Sequence, residues 1–71
     1  MIAEIKVGDV VTHWNLGEGV VIEVPRGAWD VPWEWKHDWE AVVRVRGTGF
    51  KGGGRWVLAA DLDILRGVDA F

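Results

Sequence analysis

The stretch VGDVVTHWNLGEGVVIEV, residues 7–24, determines the fold of this 71-residue chain. Two runs rich in β-branched residues, 9–14 and 19–24, flank the glycine-containing segment 15–19. Glycine adopts positive φ at low cost, and Pro25 stops the second run because proline lacks the N–H that a strand ladder needs. The pattern therefore predicts two antiparallel strands joined by a tight turn.

The rest of the chain continues in short strands and turns. The predicted elements are a third strand at 40–46 with Ala41, Val43 and Val45 on its core face, a glycine-rich connection at 47–54, a fourth strand at 55–59, a turn or 3₁₀ segment at 60–62, a fifth strand at 63–65 and a frayed tail at 66–71. Gly8 and Asp9 are expected to form a turn in which Asp9 accepts hydrogen bonds from nearby backbone N–H groups.

These features predict an all-β protein with one domain over residues 1–71: a small five-stranded, SH3-like (Tudor-like) antiparallel barrel. A five-stranded OB-fold is the alternative, but it usually has longer strands and more residues. The chain has no cysteine and only two histidines, His13 and His37, so the usual zinc-finger ligand sets are missing. The core is therefore expected to hold without a disulfide or a structural metal.

Residues 25–39, PRGAWDVPWEWKHDW, form an insert between the second and third predicted strands. Aromatic and polar residues alternate in it, which predicts an extended strand or a flap with one aromatic face. One interpretation is a flap that covers the small core. The other is a partner-binding surface, because tryptophan is enriched at interface hot spots, and its members would be Trp29, Trp33, Trp35 and Trp39.

The carboxylates around the insert favour a basic partner surface. An aromatic cage for methylated lysine or arginine is a narrower version of the same hypothesis.

The N-terminal third resembles the opening of the Tudor-like C-terminal domain of UvrD/PcrA helicases. The shared pattern is V-G-D at 7–9, His13, G-x-G at 17–19 and the valines that follow. The segment WVLAADLDIL, residues 56–65, looks like the closing strand and turn of those domains, and CarD-type and KOW-type SH3-like domains are similar more loosely. The resemblance covers about residues 6–24 and 40–65 and breaks at the insert.

The resemblance implies a protein-recognition barrel, and in those helicases the domain is associated with contacts to RNA polymerase. The predicted function is therefore a non-catalytic protein-binding module, a transcription- or DNA-repair-linked adaptor that docks on RNA polymerase or another nucleic-acid machine. His13 is expected to pack against the first turn with one ring nitrogen bonded to the backbone.

Catalysis and cofactor binding are not predicted. The chain contains neither serine nor cysteine, so the usual nucleophilic triads lack a nucleophile. The G-x-G motif is not followed by a helix that could bind phosphate. A barrel of this size also offers little room for a cleft that would desolvate catalytic carboxylates. No metal ligand set and no cofactor are expected.

Two other functions remain open. The hairpin of the third and fourth strands carries cations and one aromatic residue that could bind single-stranded nucleic acid: Arg44, Arg46, Phe50, Lys51 and Arg55. Alternatively, the tryptophan-rich insert could bury against a second copy and form a homo-oligomer.

The formal net charge of −3 argues against non-specific binding to nucleic acid or to anionic membranes. The sequence contains no apolar run of membrane-spanning length and no signal-peptide pattern, which predicts a cytoplasmic location.

Overall fold

The computed structural model describes residues 5–67, except for the side chain of Lys51. The elements are β1 (Val10–His13), β2 (Gly17–Glu23), β3 (Val42–Gly47), β4 (Phe50–Leu58) and β5 (Leu62–Arg66), with 3₁₀ segments at Ala28–Asp30, Trp33–Ala41 and Ala59–Asp61.

All strand pairs are antiparallel, and the order in the sheet is β4-β3-β2-β1-β5. The last 3₁₀ segment connects β4 to β5, and β5 pairs with β1 at the other end of the sheet. This confirms the prediction of a small, five-stranded, antiparallel all-β fold with a barrel-like shape. The sheet does not close, so β4 and β5 are its two edges.

The core lies on the inner face of this curved sheet. Val11, Val21 and Val45 have no exposed surface, as expected for alternate residues of β1, β2 and β3. The other buried members of the cluster are Ile5, Val43, Phe50, Val57, Ala59 and Leu62. Burial of these apolar side chains provides the main driving force for folding.

The N-terminal entry into β1 is held by Asp9, which is 2% exposed. Its Oδ2 accepts a hydrogen bond from the backbone N–H of Lys6 at 2.8 Å, and its own N–H donates to the carbonyl of Lys6 at 3.1 Å. The predicted hydrogen-bonding role of this carboxylate is confirmed. The turn that follows β1 also has the expected positive φ, 89° at Gly17.

The bounds of all five strands differ from those predicted; β1 and β2 cover Val10–His13 and Gly17–Glu23 rather than 9–14 and 19–24. β3 begins at Val42, because Ala41 belongs to the preceding 3₁₀ segment and is only half-buried. β4 begins at Phe50, so most of the glycine-rich connection is strand and the hairpin turn is short. β5 extends to Arg66, and residues 68–71 of the predicted tail lie outside the described residues.

The prediction of an extended strand in the insert is wrong. Its backbone bends through i→i+3 hydrogen bonds, from Asp30 N–H to the Gly27 carbonyl at 3.0 Å and from Trp35 N–H to the Pro32 carbonyl at 2.9 Å. The longer 3₁₀ segment is interrupted at Asp38, whose φ and ψ are −120° and 22°. Alternating aromatic and polar residues form a strand only when a neighbouring strand pairs with them, and none of the described strands does so here.

No helix among residues 5–67 is long and apolar enough to cross a membrane.

Candidate protein-binding site

The turn between β1 and β2 is built around His13, which is 8% exposed. Its Nδ1 accepts hydrogen bonds from the backbone N–H groups of Asn15 at 3.1 Å and Leu16 at 3.2 Å, as predicted for one ring nitrogen. The neutral ring therefore carries its proton on Nε2, which lies 4.0 Å from Oδ2 of Asp61. The imidazole is thus hydrogen-bonded to the turn and lies close to the last 3₁₀ segment.

This turn directs Trp14 outward. The indole stacks on the His13 ring, with centroids 5.7 Å apart and an interplanar angle of 24°, yet it remains 77% exposed. The edge of Phe50 contacts the same imidazole at a centroid distance of 6.1 Å. His13 therefore joins the core to an exposed aromatic surface.

A groove of about 250 Å³ opens beside this turn. It brings together three indoles from distant parts of the sequence, those of Trp14, Trp35 and Trp56. The other lining residues are His13, Asn15, Leu16, Arg55, Val57, Leu58 and Asp61. Of the tryptophans predicted to bind a partner, only Trp35 lies in the groove.

The remaining tryptophans of the insert differ in exposure. Trp29 and Trp33 are 81% and 83% exposed, whereas Trp35 and Trp39 are half-buried. No residue of the 3₁₀ segments Ala28–Asp30 and Trp33–Ala41 is buried. The barrel core therefore closes without the side chains of these segments.

The exposed position of Trp29 is held by local contacts. Oδ2 of Asp30 accepts a hydrogen bond from the Arg26 N–H at 2.8 Å, which closes the turn on which the tryptophan sits. The indole lies directly over Gly27, where a Cβ would collide with the ring. One face of the indole thus covers the glycine while the side chain as a whole stays exposed.

The predicted nucleic-acid-binding residues do not form one patch. Arg44 pairs across the hairpin with Trp56, whereas Arg55 pairs with the fully buried Val45. Side chains alternate between the two faces of a strand, so Arg44 and Arg46 lie on the outer face, and Arg55 lies on the side of the groove. The side chain of Lys51 is outside the described set.

Phe50 was expected to stack on a base, and this expectation is wrong. The ring is 3% exposed and belongs to the core, because the hairpin turn folds it under β3. Arg44 is also partly engaged, with its Nη1 3.7 Å from a carboxylate oxygen of Glu23. Its Nε is buried and has no hydrogen-bond partner.

Three groove residues were not singled out from the sequence: Trp14, Trp56 and Asp61. For Trp56 the sequence does contain a signal. Trp56 precedes the core residue Val57 in a predicted strand, so alternation directs its indole away from the core. Nothing in the sequence relates these positions to one another or to Trp35, since the fold alone brings them together.

Among residues 5–67, no group of three or more His, Asp or Glu side chains is arranged to hold a metal ion. Comparisons with protein-family models, with curated proteins and with solved structures found no match to this chain.

Proposed function

We propose that the protein is a non-catalytic protein-binding module whose interface includes the exposed tryptophans Trp14, Trp29 and Trp33. The observation that carries the proposal is their exposure, 77%, 81% and 83%. A tryptophan can bury on the order of 150–250 Å² of surface, so three exposed ones in so small a domain are a large unused source of binding energy. Rigid indoles also lose little conformational entropy on binding.

The charges of the insert indicate the kind of partner. Residues 25–40 carry four carboxylates against two cations, Arg26 and Lys36. Glu34, Asp38 and Glu40 are exposed, so their charges face solvent. Charge complementarity favours a partner surface that is basic around an apolar centre.

RNA polymerase is the first partner to test, because of the resemblance of residues 6–24 and 40–65 to the Tudor-like helicase domain. This would make the protein a transcription- or repair-linked adaptor. Other nucleic-acid machines are tested by capture from a native cell extract, as described next.

The test uses the immobilised full chain with purified RNA polymerase and, in parallel, a native cell extract analysed by mass spectrometry. We expect the double variant Trp29→Ala/Trp33→Ala to lose affinity about thirty-fold, the effect of removing one strong hot spot of about 2 kcal/mol. The matched control is Ile64→Ala/Leu65→Ala, which removes two exposed apolar side chains on β5. Equal binding by the wild type and the Trp29/Trp33 variant would refute the proposal.

A second candidate function, binding of single-stranded nucleic acid, is favoured by one observation. Arg44 and Trp56 are cross-strand partners, and Arg46 lies on the same face, so two cations and an aromatic ring share the outer surface of β3 and β4. Such a combination can contact phosphates and stack a base. Loss of binding in Arg44→Glu/Arg46→Glu but not in Trp29→Ala/Trp33→Ala would favour this function.

A further inference from the structure

The groove beside the first turn runs along an open edge of the sheet. Four consecutive residues of β4, Arg55 to Leu58, line it. Consecutive strand residues direct their side chains to opposite faces, so a single groove that contacts all four residues must reach their backbone. β4 pairs with β3 alone among the strands that the structure describes.

The backbone at this edge can still form hydrogen bonds. In an antiparallel pair, alternate residues exchange their N–H and C=O bonds with the neighbouring strand, and the residues between them point away from it. β4 follows this pattern against β3 in the register Val43↔Val57 and Arg44↔Trp56. Every other residue of this stretch therefore offers its N–H and C=O to the groove.

The groove also has an apolar centre and charged ends. Trp14, Trp35 and Trp56 supply aromatic surface. Arg55 begins the lining part of β4, and Asp61 lies beyond its end, so the charge changes sign along the strand direction. A ligand that follows the edge would meet a cation, then indoles, then a carboxylate.

We propose that this groove binds an extended peptide segment of a partner protein, which adds to β4 as a sixth, antiparallel strand. An apolar side chain of the peptide packs on the indoles, a basic side chain lies at Asp61 and an acidic one at Arg55. Antiparallel addition continues the pairing of the whole sheet, and strand addition is a common way for proteins to bind peptides. The recognised sequence therefore reads basic, apolar, acidic from its N-terminus. This inference rests on the proposed function and names the chemistry of the partner.

The probe is a phage library of random short peptides selected on the full chain. We expect enriched peptides with the order basic, apolar, acidic, and amide chemical-shift changes at Arg55 to Leu58 when the synthetic peptide is added. N-methylation of the peptide nitrogens that face β4 should weaken binding about tenfold, because each methyl group removes a backbone hydrogen bond. N-methylation at the intervening positions should leave affinity nearly unchanged.

The variant Arg55→Asp/Asp61→Arg exchanges the charges at the two ends and should favour peptides of the opposite charge order. Its thermal unfolding is measured alongside, and Trp56→Ala serves as a second variant that weakens binding without changing charge. The absence of enriched peptides, shifts confined to other residues, or equal effects of the two N-methylation patterns would overturn the proposal.

Failure of this inference can be distinguished from failure of the proposed function. The control Ile64→Ala/Leu65→Ala on β5 lies outside the groove and should bind the peptide as the wild type does. If a protein partner depends on Trp29 and Trp33 while no peptide binds the groove, the proposed function stands and this inference falls.

Discussion

At the scale of single residues, His13 stabilises the turn that carries Trp14. Its Nδ1 is the acceptor for two backbone N–H groups, and the ring lies between Trp14 and Phe50. A hydrocarbon ring at this position would keep the packing but leave both donors without their acceptor. The position of Trp14 in the groove therefore depends on the chemistry of one nitrogen.

We predict that His13→Phe lowers the free energy of unfolding by about 1–3 kcal/mol, the cost of a poorly exposed polar group left unpaired. The exposed His37 offers a matched control, and His37→Phe should change stability by less than about 0.5 kcal/mol. Chemical denaturation followed by tryptophan fluorescence measures both. Equal effects of the two substitutions would contradict the role given to the Nδ1 acceptor.

Gly19 marks a close approach between β2 and the β3–β4 hairpin. A Cβ there would lie 2.6 Å from Cγ1 of Val45 and 2.9 Å from the backbone oxygen of Arg46. We predict that Gly19→Ala destabilises the fold by about 1–3 kcal/mol, since the backbone oxygen cannot move without disturbing β3.

Gly53 gives the matched comparison for this prediction. A Cβ at that position meets only Nη2 of Arg44, at 3.6 Å, and its φ is not positive. Gly53→Ala should therefore stabilise the protein by about 0.4–1 kcal/mol through the lower entropy of the unfolded chain. Thermal unfolding measures both variants. If their melting temperatures shift in the same direction, the close approach at Gly19 is refuted.

At the scale of elements, the insert and the barrel contribute different things. β2 and β3 pair up to the point where the insert leaves the sheet, with Glu23 opposite Arg44 after a register shift that follows Val21. The 3₁₀ segments bury none of their residues, and they bring Trp35 to the groove. The barrel is thus expected to fold without these segments. The surface with exposed tryptophans, in contrast, would be lost with them.

We predict that replacing residues 27–40 with a short glycine-serine connection leaves a cooperatively folding barrel. Its free energy of unfolding should stay within about 2 kcal/mol of the wild type, because two opposing effects offset each other. Loss of the half-buried indoles destabilises the fold, whereas a shorter loop lowers the entropic cost of loop closure. Denaturation and amide dispersion in NMR spectra check the fold, and the pull-down proposed above tests whether partner binding is lost. A variant without cooperative unfolding would show that the insert is needed to complete the core.

At the scale of the whole molecule, charge and sheet topology limit the partners. The net charge of −3 disfavours long-range attraction to a phosphate backbone, and the candidate cations are divided between the outer face and the groove. The open edges of the sheet, by contrast, offer backbone hydrogen bonds to a protein segment. The molecule as a whole is better suited to a protein partner than to a nucleic acid.

We therefore predict no measurable binding of single-stranded DNA or RNA at physiological salt, and only weak, salt-sensitive binding below it. Fluorescence anisotropy with labelled oligonucleotides is the measurement, and Arg44→Glu/Arg46→Glu is the variant that should remove any residual signal. Tight binding at physiological salt that this variant abolishes would make nucleic acid the main ligand. Sedimentation equilibrium on the same samples reports any self-association through the insert.

The sequence alone determined the number and order of the strands and the position of the insert. β-branched runs, glycine turns and Pro25 act locally, so β1, β2 and the final turn could be located from residue types and spacing. The hydrogen-bonding roles of Asp9 and His13 were also predictable, because their partners lie within three residues along the chain.

Only the tertiary structure decided which side chains meet. Trp14, Trp35, Trp56 and Asp61 form one groove because antiparallel pairing and the path of the insert bring distant segments together, and no local pattern encodes that distance. Phe50 looked like an exposed ring on a flexible loop, but β4 begins there and packs it into the core. The open edge of β4 is likewise a property of the assembled sheet, since a strand is an edge only in relation to its neighbours.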